Sequence, residues 1–110
     1  MTVQKLWELA SVQQKLIFCG NVNFMNTENL DEGEKWLGDF WNIVNEPMKD
    51  FITRTGLTVT EFAAQNNINI RTVRHWTAGE RACPQYVRFA YAKLYNLIDV
   101  DYIKNVFCDF

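Results

Sequence analysis

Residues 57 to 81, LTVTEFAAQNNINIRTVRHWTAGER, decide the reading of this chain. Thr58 is placed to cap a helix that starts at Val59, and Glu61, three residues on, can reach back to it and close a capping box. Phe62 and Ala63 give that helix a narrow apolar face. It should end at Asn66-Asn67, because asparagine tolerates the left-handed backbone that stops a helix. Asn69 then caps a second helix. At about 100° per residue, Val73 and Trp76 fall on one side of it, while Ile70, Arg71, Arg74, His75 and Ala78 fall on the other. Gly79 supplies the stop. Two short helices about a tight turn, the second presenting two arginines and the chain's only histidine, have the layout of a helix-turn-helix that reads DNA.

The stretch resembles the Cro-like phage repressors, or xenobiotic-response-element regulators. Their motif runs Thr-x-x-Glu-Leu-Ala, a turn glycine, a hydroxyl or amide cap, then Thr-Val-x-x-Trp and Gly-x-Arg. Thr58, Glu61, Phe62, Ala63, Asn69, Thr72, Val73, Trp76, Gly79 and Arg81 match it, and Pro84 falls where the next helix of such proteins often begins. The likeness covers roughly residues 48 to 97. It departs at Asn67 (usually glycine), Asn66 (usually a buried leucine) and Val59 (usually polar). The resemblance implies a transcriptional repressor of phage or mobile-element type.

If the second helix enters the major groove N-terminus first, its first turn lies nearest the base edges. Arg71 is then the principal base reader, since a guanidinium can bond guanine N7 and O6 together, worth about 1 to 3 kcal/mol of discrimination. Ile70 suits a thymine methyl. Arg74 and His75 are placed for base or backbone, and Thr58, Asn69, Thr72 and Arg81 for phosphate positioning. One module makes few contacts, so a homodimer on an inverted-repeat operator in double-stranded DNA is expected.

The charge pattern agrees. The chain of 110 residues has a formal net charge of −2, which argues against a general nucleic-acid binder. Residues 1 to 46 carry Lys5, Lys15 and Lys35 against seven acids, for −4. Residues 47 to 98 carry Lys49, Arg54, Arg71, Arg74, Arg81, Arg88 and Lys93 against three, for +4. A basic centre between acidic flanks favours selective over indiscriminate phosphate contact.

Hydrophobic content of 48% and aromatic content of 15% suffice for one compact core, and helical spacing throughout points to an all-α fold of about five to six helices. A first helix is expected over 2–18, with Leu6, Trp7, Ala10, Ile17 and Phe18 on its apolar side, followed by a polar turn over 20–29. Asp31, with Glu34 as reciprocal partner, should cap the next, whose stripe is Leu37, Phe40, Trp41 and Val44. Residues 1–46 thus form an acidic, aromatic-rich helical extension. Pro47 opens the DNA-binding module (47–98), with Phe51 and Ile52 buried and Gly56 closing its first helix. Its last helix, about 84–97, should turn Val87, Ala90, Tyr91 and Leu94 inward. The tail, 99–110, carries Ile103, Val106 and Phe107 and should pack on the core or on a dimer partner.

Cys19, Cys83 and Cys108 form no CxxC pair, and one histidine cannot complete a zinc pattern with them, so no metal and no cofactor are expected. A glycine-rich phosphate loop, a nucleophile motif and a second histidine are all missing, which argues against an enzyme. No run approaches the roughly 20 apolar residues of a bilayer span, and a cytoplasmic protein is expected. The rival reading is a protein-interaction module, such as an antitoxin or an inhibitor of a host defence complex, that binds through the acidic N-terminal half.

Overall fold

The computed structural model describes residues 1–107. In chain order these form α1 (Val3–Val12), α2 (Lys15–Cys19), a 3-10 turn (Gly20–Phe24), α3 (Leu30–Asn45), α4 (Met48–Arg54), α5 (Val59–Gln65), α6 (Ile70–Thr77), α7 (Gln85–Leu94) and α8 (Val100–Val106). The all-helical class agrees with the sequence, but eight α-helices stand where five to six were expected. The described residues hold no strand, only an isolated antiparallel bridge between Met25 and Phe107.

The extra helices arise where a tertiary partner competes for the backbone. The expected helix over 2–18 breaks at Gln13 and Gln14, both extended. There the Trp41 indole N–H donates to the Gln13 carbonyl at 2.9 Å, and the Gln13 side chain accepts from Asn21 at 3.4 Å. The break turns α2 so that Phe18 is fully buried while Ile17 lies exposed, against expectation. The segment expected to be a polar turn buries Val22 and Met25 instead. Asp31 is not the cap of α3. Asn29 takes that place and accepts from the Glu32 N–H at 3.1 Å, leaving Asp31 in the first turn, where its charge suits the helix dipole.

One apolar cluster runs through both halves of the chain. Phe18, Phe40 and Trp36 stack in series, Trp7 meets Phe40 edge-on at 6.0 Å, and Phe62 does the same to Tyr91 at 5.0 Å. Ile103 and Phe107 are buried, and Tyr102 lies 5.0 Å from Trp36, so α8 packs on the N-terminal helices of its own chain. Residues 108–110, including Cys108, lie outside the described part.

α7 departs most from its expected face. Ala90 and Leu94 are exposed, whereas Arg88 and Ala92 are buried. The reason lies at the end of α3, whose last carbonyls have no partner within the helix. Arg88 donates from Nε to the Ile43 carbonyl at 2.9 Å and from Nη2 to the Glu46 carbonyl at 2.7 Å, with its guanidinium 4.8 Å from the Phe51 ring centre. Gln85 donates to the Val44 carbonyl at 3.4 Å and accepts from the Trp7 indole at 3.1 Å. These bonds tie α1 and α3 to α7 across the proposed boundary at residue 46/47.

Candidate nucleic-acid interface

α5 starts as its sequence dictates. Thr58 Oγ1 accepts from the Glu61 N–H and Glu61 Oε1 accepts from the Thr58 N–H, both at 3.1 Å, closing the capping box. Hydrogen bonds to its carboxyl, from the Thr58 N–H first and the Thr58 side chain second, hold Glu61 below its ordinary value. Phe62 and Ala63 are buried. The helix ends in a Schellman turn, with Ile68 N–H on the Ala63 carbonyl at 2.9 Å and Asn67 at a φ of 53°. Asn66 has a role that leucine could not fill: its amide donates to the Phe62 carbonyl at 2.9 Å and to the Tyr95 hydroxyl at 2.7 Å, joining the turn to α7.

Asn69 caps α6, its Oδ1 accepting from the Arg71 N–H at 2.8 Å. Val73 and Trp76 are buried, against α4 and α5. Each such side chain contributes about 1.5 to 3 kcal/mol to holding the helix down. The opposite side stands clear. Arg71 and Arg74 are exposed, Ile70, Thr72 and His75 are half-buried, and Thr58, Asn69 and Arg81 are exposed. Among the described residues, Arg71, Arg74 and Arg81 make no ion pair and no side-chain hydrogen bond. Asn69 spends its acceptor oxygen on capping but keeps its amide hydrogens to donate outward, whereas the Thr58 hydroxyl is engaged with Glu61.

α6 ends in a second Schellman turn. Gly79 adopts a φ of 76°, and the Glu80 N–H returns to the His75 carbonyl at 3.0 Å. The same turn brings the Glu80 carboxylate to 2.6 Å from His75 Nδ1. This pair escaped the sequence reading, although the Gly79 stop between the two residues is the signal that would fold residue 80 back onto residue 75.

The charge surplus shrinks in three dimensions. Arg88 is buried, and Arg54 is bound by Glu46 and by Asp39 at 3.2 Å. The Glu46 hydrogen bond leads in raising the Arg54 pKa further. Lys49, Arg71, Arg74, Arg81 and Lys93 then face Asp50, Glu61 and Glu80, an excess of two. What remains is concentrated on and just after α6.

Elsewhere the chemistry is sparse. Burial pushes the Cys83 thiol up to about 11 and raises that of Cys19, the reverse of an activated nucleophile. Among the described residues no group of His, Cys, Asp and Glu is arranged to hold a metal ion, and no helix is long and apolar enough to cross a membrane. No family model, no curated protein and no solved structure matches the chain.

Proposed function

We propose that α5, its turn and α6 work as a helix-turn-helix, and that the protein is a sequence-selective DNA-binding regulator of transcription. The observation that carries this reading is the exposed, unpaired Arg71 and Arg74 on α6, a helix whose Val73 and Trp76 are locked into the core. A guanidinium without an intramolecular partner breaks no bond within the protein on binding a base or a phosphate. Ile70, Arg71, Arg74 and His75 are assigned to base edges, and Thr58, Asn69, Thr72 and Arg81 to the backbone. The role follows the resemblance: repression, of phage or mobile-element type, by a homodimer on an inverted repeat.

Selection of bound fragments from random duplex DNA at two salt concentrations tests the reading. A consensus inverted repeat that persists at the higher salt is expected. Arg71→Ala combined with Arg74→Ala should weaken binding to it by at least about 30-fold, or about 2 kcal/mol, with folding intact. Binding that follows salt alone, with no consensus, overturns the proposal.

A second reading has an observation of its own. Val12, Leu16 and Ile17 are 80%, 88% and 60% exposed, and Leu16 borders an open groove between α2 and α3 edged by Asp31, Glu34 and Asp39 and by Lys15 and Lys35. Exposed apolar side chains beside a groove rimmed by charges of both signs suit a protein partner. Under that reading Leu16→Glu abolishes activity and the double arginine variant retains it.

A further inference from the structure

His75 is the only histidine in the chain, and its ring is held by a neighbour that can act in just one sense. An ionised carboxylate accepts hydrogen bonds and cannot donate them. With Glu80 Oε2 2.6 Å from Nδ1, the ring must carry its proton on Nδ1 to make that bond. In the neutral imidazole this leaves Nε2 with a bare lone pair. The contact is built into the end of the helix. Gly79 at positive φ and the Glu80 N–H on the His75 carbonyl at 3.0 Å bring the two residues together by backbone alone, and the Arg81 N–H reaches the same carbonyl at 3.3 Å. The ring remains 40% exposed on the face that carries Arg71 and Arg74, one turn beyond Arg71.

We propose that Glu80 sets His75 as a hydrogen-bond acceptor toward DNA, so that the pair selects a base bearing an exocyclic amino group in the major groove. Adenine and cytosine present such a donor there, through N6 and N4. Guanine offers N7 and O6 and thymine offers O4, all acceptors that a bare Nε2 repels. The inference rests on the DNA-binding reading and sharpens it. The arginines ask for guanine, and the His75–Glu80 pair asks for the opposite pattern at another position of the same half-site. Glu80 is a positioning residue here, acting through the ring that it orients.

The test has two arms on the full chain, at a pH where the histidine nitrogen shifts show the neutral ring. Long-range proton–nitrogen correlation spectra, with one histidine to assign, read the tautomer directly. Wild type should show a protonated Nδ1 and a bare Nε2, and Glu80→Ala should shift the population toward protonated Nε2. In parallel, fragment selection with wild type, His75→Ala and Glu80→Ala compares the consensus column by column. One column should favour adenine or cytosine about fivefold in wild type and lose that preference in His75→Ala, with the other columns unchanged. In Glu80→Ala it should drift toward guanine or thymine. Protonated Nε2 in wild type overturns the inference, as does a consensus in which no column responds to His75→Ala. A complete lack of consensus sinks the DNA-binding reading and this inference with it.

Discussion

Arg88→Met is the substitution whose effect the structure defines most closely. Methionine fills much of the volume of the arginine stem but donates nothing, so the Ile43 and Glu46 carbonyls each lose a charged partner, at 2.9 and 2.7 Å. Hydrogen bonds to a charged group are worth about 1.5 to 3 kcal/mol each, a gross loss of about 3 to 6. Part of that returns, because the guanidinium is itself desolvated. Its burial is the leading cause of a pKa below the usual arginine value, a sign that the charge is held at some expense. A net destabilisation of about 2 to 4 kcal/mol follows, a large part of the roughly 5 to 15 kcal/mol available to a domain. Urea titration followed by far-ultraviolet circular dichroism should show it as a lower midpoint at unchanged slope, with Tm lower by about 10 °C or more. Arg88→Lys should fall between the two, since an ammonium can reach one carbonyl but lacks the fork. If the methionine variant comes within about 0.5 kcal/mol of wild type, the junction does not hold the two halves as described.

Two glycines of α3 should respond in opposite directions to the same change. In Gly33→Ala the new methyl meets Val22 Cγ2 at 2.7 Å and Thr27 Cγ2 at 3.3 Å, and Val22 is buried, so overpacking should outweigh the helix-propensity gain and lower stability by about 1 kcal/mol. In Gly38→Ala the nearest atom is the flexible Lys15 Cε at 3.5 Å, and the urea midpoint should rise by an amount equivalent to about 0.5 to 1 kcal/mol. The capping box predicts a pH dependence. Glu61 has a lowered pKa in the folded state, so its contribution is complete above the ordinary glutamate value and is lost as pH falls from there through the lower folded value. Urea midpoints measured between about pH 3 and 6 should lose that component in Glu61→Gln, which retains an acceptor but no titration.

How far the fold and the face could be read from the residues depended on whether the deciding interactions were local. The capping box at Thr58 and Glu61, the left-handed Asn67, the Asn69 cap, the Gly79 stop and the burial of Val73 and Trp76 all appear as read. The caps and stops follow from chemistry within about five residues, and the two buried residues from the helical period alone. What failed was set from afar. The first helix is cut because Trp41, 28 residues away, takes the Gln13 carbonyl. The inner side of α7 is chosen by Arg88, which reaches carbonyls more than 40 residues distant. Hydropathy treats arginine as an outer residue, so it pointed to Ala90 and Leu94 instead. The same blind spot inflated the basic charge assigned to the central module. A tally of charges does not show which of them the chain has already used, as it has with Arg54 and Arg88.

The Gln85 and Arg88 junction bears on how such a chain can be divided. A fragment of residues 47–98 would keep the guanidinium but lose Ile43 and Glu46, stranding a positive charge beside Phe51 and baring the aromatic wall that Trp7 covers. A fragment ending at residue 46 would in turn leave the final carbonyls of α3 with only water to bond. Recombination at that seam would break the hydrogen bonds that Gln85 and Arg88 make to the end of α3. The unit that can be transplanted or fused intact is the whole run from α1 to α8.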